Sequence, residues 1–410
     1  MNESFLQHLW RYQLLNISEL SNKNNITIQV KSPGLLNTDA GPDFFNARIL
    51  IGDTLWAGNI EIHKTIEDWY NHKHHQDEAY NNVILHVSLS DDPYVIAANG
   101  QEIPNVKMMF NPSLWTNYQN IINSNNEIAC RFSKVDTQSL LFNSWLDRLM
   151  AIRLMKKAER FTEILKSTNN DFEESAYIFL ASAFGFKINA QPFEQLARII
   201  PFRVIRKFKE KPFQILQMYL TVSGLMNNEK MKNLLSDGIY FLSKHSIIKK
   251  SEMQWKQSKT RPANFPLIRI IQFSVFIARI DSLINSLLVI NSIEEMKRFF
   301  SNSIPTEITN VFIEAKGMGA SSINGLIMNS VIPMLFVYAK HTGNEGIAAK
   351  SFELYSQLEA ERNNIIAKYE QLGFFPSNAF ESQALLELYT DYCSPKNCLE
   401  CPLGNELIKN

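Results

Sequence analysis

The apolar positions of this chain change period along its length, and the changes divide it into an α+β part followed by an almost wholly helical one. Residues 3–20 place Phe5, Leu6, Leu9, Trp10 and Leu14 at helical spacing, which predicts an amphipathic helix. From Ile26 the period is two. ITIQVKSPGLL alternates until Pro33-Gly34, and DFFNARILIG then leads through Gly52-Asp53 into TLWAGNIEIHK, so three short strands with hairpin turns are expected. EDWYNHKHHQDEAYNN reads as helix and NVILHVSL as the clearest strand, and a further hairpin turns at Ala98-Asn99-Gly100. The expected order is helix, three strands, helix, strand, with an added hairpin ending near Phe110. Beyond residue 115 the period is 3.6, with helical stretches expected at 137–167, 171–184, 190–223, 266–290 and 352–371. The Asn-rich segment TNYQNIINSNNE is the expected break. These patterns predict an α+β domain over residues 1–115 and a large all-α domain over 116–410.

Length agrees with this division, because 410 residues exceed what a single hydrophobic core usually organises. The net charge of zero conceals an asymmetry. Residues 1–130 hold 7 basic and 14 acidic side chains, a balance of −7, and the remainder carries +7. A basic module fused to an acidic one points towards an anionic partner. The segment MNESFLQHLW has no basic region before an apolar run, so no secretory signal is expected. The two most apolar stretches, 267–290 and 323–339, are interrupted by Arg269, Arg279 and Asp281 and by Asn324 and Asn329. Neither reads as a membrane span, and a cytoplasmic location is expected.

Candidate chemistry concentrates in the first part. Five of the eight histidines, His63, His72, His74, His75 and His86, lie within 24 residues. Upstream stand Gly41-Pro42-Asp43 and Glu61-Ile62-His63, the latter on an expected strand where Glu61 and His63 share a face. Two carboxylates on neighbouring strands suit a hard divalent cation such as Mg²⁺ or Mn²⁺. A second reading uses softer ligands: His72 and His75 at i,i+3 on a helix, with His63 or His86, could hold Zn²⁺.

With its order of elements and these residues, the segment 3–90 resembles the PD-(D/E)XK nuclease superfamily, Pro42-Asp43 standing for the PD and Glu61-Ile62-His63 for the (D/E)XK. The resemblance implies that Asp43 and Glu61 bind metal, that His63 takes the position of the lysine, and that Gln76 and Tyr80 touch substrate, as the Gln-x-x-x-Tyr element does in the RecB-type branch. Lys64 falls on the opposite strand face. Across nearly its whole length the chain is also similar to an uncharacterised bacterial family, DUF2851, through GPDFFNARI, EIHKTIEDWYNHKHHQDEAYNNVILHV, RPANFP and the carboxy-terminal cysteines. That similarity implies no activity.

Cys393, Cys398 and Cys401 form Cys-x4-Cys-x2-Cys-Pro, and Cys130 is the only other cysteine. In a reducing compartment such a group reads as a metal site, and four thiolates suit either Zn²⁺ or an iron–sulfur cluster. The tail resembles the cluster loops of endonuclease III-type DNA glycosylases, and the split of one distant and three terminal cysteines resembles the iron staple of RecB-type nucleases. Basic residues gather at Arg198, Arg203, Arg206, Lys207, Lys209 and Lys211, and again from Lys244 through Lys249, Lys250, Lys256, Lys259 and Arg261 to Arg269. With Phe202, Phe208, Trp255 and Phe265 interleaved, they are expected to contact a nucleic acid. The resulting expectation is a metal-dependent nuclease. A non-catalytic nucleic-acid-binding or scaffold protein with a degenerate core and a zinc hydrolase are the alternatives.

Overall fold

A computed structural model describes residues 1–15, 28–130, 135–226, 232–247, 253–257 and 264–409. The chain forms two compact units. The first comprises Met1–Asn143 together with Tyr389–Asn410, and the second comprises Ser144–Leu388.

The first unit is built on a mixed sheet. Helix α1 (Glu3–Arg11) opens the chain, capped by the Asn2 side chain, which accepts from the Phe5 N–H. The strands are β1 (Ile28–Ser32), β2 (Leu35–Leu36), β3 (Phe44–Ile51), β4 (Thr54–Ile62), β5 (Val83–Ser88), β6 (Tyr94–Ile96) and β7 (Glu102–Lys107). Their order across the sheet is β1-β3-β4-β5-β7-β6, with β2 beside β3. β3 pairs antiparallel with β1 and β4, whereas β4–β5 and β5–β7 are parallel. Phe5, Leu6, Leu9 and Trp10 of α1 are fully buried in the same core as Phe44, Ile60, Leu85 and Val106 of the strands. The expected helix–strand order is present up to β5, and the expected hairpin is β6–β7.

Three details depart from expectation. Helix α1 ends at Arg11, and residues 16–20 of the expected first helix lie outside the described residues. The segment expected to be one helix after β4 is instead a short helix α2 (Ile66–Asn71) followed by two single 3-10 turns, His74–Gln76 and Glu78–Tyr80. The Asn-rich stretch is no linker. Its first half belongs to helix α3 (Pro112–Ile122), whose Leu114, Tyr118 and Ile121 form an apolar stripe buried in the core of the first unit. Tyr118 stacks on Phe5 with ring centroids 5.2 Å apart. The division expected after residue 115 is therefore corrected: the boundary follows Asn143, and the tail carrying the three clustered cysteines returns to the first unit.

The second unit is helical. The stretch 137–167 contains one helix, Leu140–Ser167, and 171–184 contains Phe172–Phe184. The stretch 190–223 is interrupted, with helices Phe186–Ile199, Phe202–Ile205 and Pro212–Ser223, because Pro201 and Pro212 each start a new segment. Residues 266–290 and 352–371 likewise divide, into Pro266–Ile277 with Leu283–Leu288 and into Glu345–Gln357 with Asn364–Gln371. Phe273 stacks between Tyr177 and Tyr219, whose hydroxyls lie 2.8 Å apart in the buried core. Ala320–Thr342 is long and apolar enough to cross a membrane by length and composition, and 67% of its most apolar window is buried within the protein.

Candidate metal centre

The local sequence explains how four side chains reach one point. Gly41 adopts φ +111°, a conformation that side-chain-bearing residues rarely reach, and this turns the chain so that Pro42-Asp43 enters β3. The Asp43 N–H donates to Glu61 Oε2 at 3.0 Å, and Asp43 Oδ2 accepts from the Ile62 N–H at 2.9 Å, which locks the start of β3 to the end of β4. Glu61 and His63 extend from one face, as alternation requires, with Glu61 Oε1 3.4 Å from His63 Nε2. After Thr65, whose N–H is capped by the Asp68 carboxylate, α2 delivers His72 at its end. Lys73 then takes a left-handed φ of 65° and reverses the chain. That reversal brings His74 back over the strands, with Nε2 3.3 Å from Glu61 Oε1.

The result is a cluster in which one ring nitrogen from each of His63, His72 and His74 lies within 4.8 Å of the others. His63 Nε2 and His72 Nδ1 are 3.2 Å apart. Glu61 and His63 are almost wholly buried, His74 is 8% exposed, and His72 stands at the solvent side. Trp69 forms one wall, its ring centroid 5.3 Å from His74 and 5.6 Å from His86, and Tyr80 stacks on His74 at 3.8 Å.

A chain of hydrogen bonds fixes the tautomers. Asn105 Nδ2 donates to the Ser90 and Asp92 carbonyls at 3.3 and 2.6 Å, so its Oδ1 must face His86 as an acceptor. His86 Nδ1, 2.8 Å away, therefore carries the proton, and its bare Nε2 accepts from His63 Nδ1 at 2.9 Å. His63 is left with a lone pair on Nε2, aimed at Glu61, His72 and His74. The parallel registers Glu61↔His86 and His86↔Asn105 place these residues side by side on β4, β5 and β7. An imidazole whose other ring nitrogen is held by a second group is the usual form of a metal ligand.

Electrostatics support neutral imidazoles beside a protonated acid. Burial, then the neighbouring His86, His74 and His72, holds His63 down to about 2, and burial lowers His86 to about 4 and depresses His74. Burial pushes Asp43 up to about 8, with Glu61 adding to the rise, and burial likewise pushes Glu61 up to about 8. His74 Nε2 is buried without a hydrogen bond. A buried lone pair and a bare imidazole nitrogen beside a carboxylate fit a cation. Three nitrogens and one oxygen suit Zn²⁺ or another transition ion better than Mg²⁺, which prefers oxygen.

Asp43 has a different place from the one expected. Its Oδ1 accepts from Gln7 Nε2 at 2.8 Å while Oδ2 holds the Ile62 amide, so both oxygens already meet donors. The His75 expected from helical spacing is replaced by His74, since Lys73 ends the helix. Gln76 is exposed and bonds His75 Nε2 at 3.0 Å, and Tyr80 is buried against His74. His74 was noted only as one of the five clustered histidines and Asn105 was not singled out by the sequence; the polar Asn105 on an apolar strand was the available signal.

In the second unit, Arg206 and Lys207 are exposed, while Arg261, Lys249, Lys250 and Lys259 lie outside the described residues. Arg269 is no surface cation: it is 3% exposed, bonds Gln272 Oε1 at 2.8 Å and covers the Phe186 ring. Phe202 and Phe208 pack on Tyr177 and Phe241, and the Trp255 ring lies against Phe193, so these rings are occupied by the protein itself. Phe265 is partly exposed.

Because burial holds the Glu61 carboxyl well above the usual carboxylate range and a ligand carboxylate is ionised, cation binding there should release protons. Affinity should rise between pH 6 and pH 8 and flatten above that, where the proton is already lost. Calorimetry with Zn²⁺ in two buffers of unlike ionisation enthalpy measures the release; identical heats would exclude Glu61 from the site.

No curated protein and no solved structure matches this chain. A family model described as a protein of unknown function, DUF2851, matches residues 3–364. The match takes in the whole histidine centre and most of the helical unit, so this chain belongs to the DUF2851 family.

Proposed function

We propose that the chain is a metal-dependent hydrolase of nucleic-acid phosphodiesters, with Glu61, His63, His72 and His74 as its centre. The observation that carries this is the convergence of one buried carboxylate and three imidazoles at the end of β4, where an antiparallel and a parallel pairing meet. The helix–strand order and the position of Asp43 beside Glu61 support a PD-(D/E)XK-like core. A divalent ion held there would acidify a water and neutralise phosphate charge. The residues supply the rest: His63 presents Nε2 through the Asn105–His86 relay, Glu61 offers a carboxylate oxygen, and His72 stands on the solvent side. Arg206 and Lys207 are proposed phosphate contacts.

A second reading, nucleic-acid binding without hydrolysis, is favoured by the two committed oxygens of Asp43 and by Lys64, which is exposed. The test incubates metal-stripped protein with bis(p-nitrophenyl) phosphate and with single- and double-stranded DNA and RNA, adding Zn²⁺, Mn²⁺ or Mg²⁺. Hydrolysis restored best by Zn²⁺ or Mn²⁺ is expected. Salt-sensitive binding, weakened by Arg206→Glu with Lys207→Glu but without cleavage by metal-loaded protein, would establish the second reading instead.

A further inference from the structure

Four buried thiols gather in the first unit, Cys130 lying far along the chain from the other three. Cys130, Cys393, Cys398 and Cys401 are each 6–8% exposed. The structure holds all four as thiols. The thiols of Cys130 and Cys393 are hydrogen-bonded, and Cys401 and Cys398 are within electrostatic reach of Cys130. Cys398 in turn has Cys393 and Cys401 as neighbours.

The backbone around them is built rather than loose. A turn of π-helix, Tyr389–Cys393, presents the first thiol of the tail, and the Ser394 and Asn397 amides bond back to Tyr389 and Tyr392, each at 2.8 Å. Lys396 adopts a left-handed φ of 56° and sends its Nζ to the Ile122 carbonyl at 2.8 Å and to the Ser124 carbonyl. These bonds fasten the tail loop to the segment leading into Cys130. The Cys401 N–H turns back to the Cys398 carbonyl at 3.4 Å, and helix Pro402–Lys409 starts immediately after. Gly404 permits that turn, since a Cβ there would lie 2.2 Å from the Cys398 oxygen. Cys398 also borders the apolar core of the first unit. The thiol of Cys130 nevertheless faces the other three.

We propose that Cys130, Cys393, Cys398 and Cys401 form a structural tetrathiolate zinc site that joins the two passages of chain making up the first unit. A thiol–thiol hydrogen bond holds two sulfurs at about the separation of two ligands on tetrahedral zinc, roughly 3.8 Å for Zn–S bonds of about 2.3 Å. At that one pair an iron–sulfur cubane, in which each thiolate binds a different iron, asks for wider spacing. A closed four-ligand site leaves no position for water, so its role is stability. The site is separate from the histidine centre and stands or falls independently of the hydrolase reading.

The experiment uses the full chain, as isolated and after cobalt replaces the metal. Elemental analysis of a His63→Ala, His72→Ala variant, which lacks the first centre, should find one zinc per chain. Cobalt should give intense thiolate charge-transfer absorption, and all four thiols should resist alkylation until the metal is chelated. Cys130→Ser and Cys398→Ser should each lose the zinc. Should a serine variant fail to fold, the cobalt spectrum and thiol protection of the parent still decide. Iron with acid-labile sulfide, a Cys130–Cys393 disulfide, an absence of metal, or full zinc retention in Cys130→Ser would each overturn the proposal.

Discussion

Glu61→Gln should lose about 10²–10⁴-fold of the proposed metal-dependent hydrolysis and yet be more stable than the parent when metal is absent. The loss follows from removing the one carboxylate that touches both His63 and His74. The gain follows from linkage. In the unfolded chain this carboxyl titrates near 4.5, whereas burial raises it to about 8 in the folded protein. Below pH 4.5 it is protonated in both states and contributes nothing. As pH rises towards 8 the folded state must either keep a proton that the unfolded state has released or bury a charge, so stability falls. Glutamine mimics the neutral acid: it keeps an oxygen for the Asp43 N–H and gains an N–H to offer the imidazoles. The difference in melting temperature between variant and parent, measured with chelator, should therefore be positive at pH 8 and vanish near pH 4. A variant less stable than the parent at pH 8 would show that Glu61 is not held as a costly acid.

Trp69→Ala should cost about 3–5 kcal/mol of stability, the range for removing a fully buried aromatic side chain. Trp69 is 0% exposed and sits in a small cluster with Tyr80, Val83, Val95, Ala97 and Ile103, apart from the main core. Its Nε1 donates to the Ile96 carbonyl at 2.9 Å, an acceptor that alanine would leave without its partner. Few other residues can close the cavity, because the opposite side of the ring is lined by His74 and His86. Metal affinity should fall with stability, since His74 would lose the wall that orients it. Trp69→Phe, which retains a ring but not the donor, should cost much less. Urea unfolding of the three proteins gives the comparison, and a loss under about 1 kcal/mol for alanine would mean that the cluster repacks.

The sequence made part of this site readable. Two-residue alternation placed Glu61 and His63 on one face, and the Gly-Pro-Asp turn marked the entry of β3; both are local properties of the chain. The third histidine of the cluster was misread because helical spacing was carried through Lys73, where the chain turns left-handed and exchanges His75 for His74. Asn105 stood out only as a polar residue on an apolar strand, and its role could not follow from that, since it depends on β7 lying parallel to β5. The division of the chain was misread for the same reason. The helical period of the tail is genuine, but nothing in it indicates that Leu399 and Ile408 are buried with Phe5 and Trp10.

That return of the tail has a consequence for how the protein is made. During synthesis the strands of the first unit leave the ribosome early, but the side chains that complete their core, Leu399 and Ile408, follow only after the 245 residues of the helical unit. The sheet must wait with part of its apolar surface uncovered while the inserted helices form. A nascent chain halted before Tyr389 would thus hold a finished helical unit and an unfinished sheet, and the steps that add Leu399 and Ile408 would be the ones that make the sheet resistant to protease.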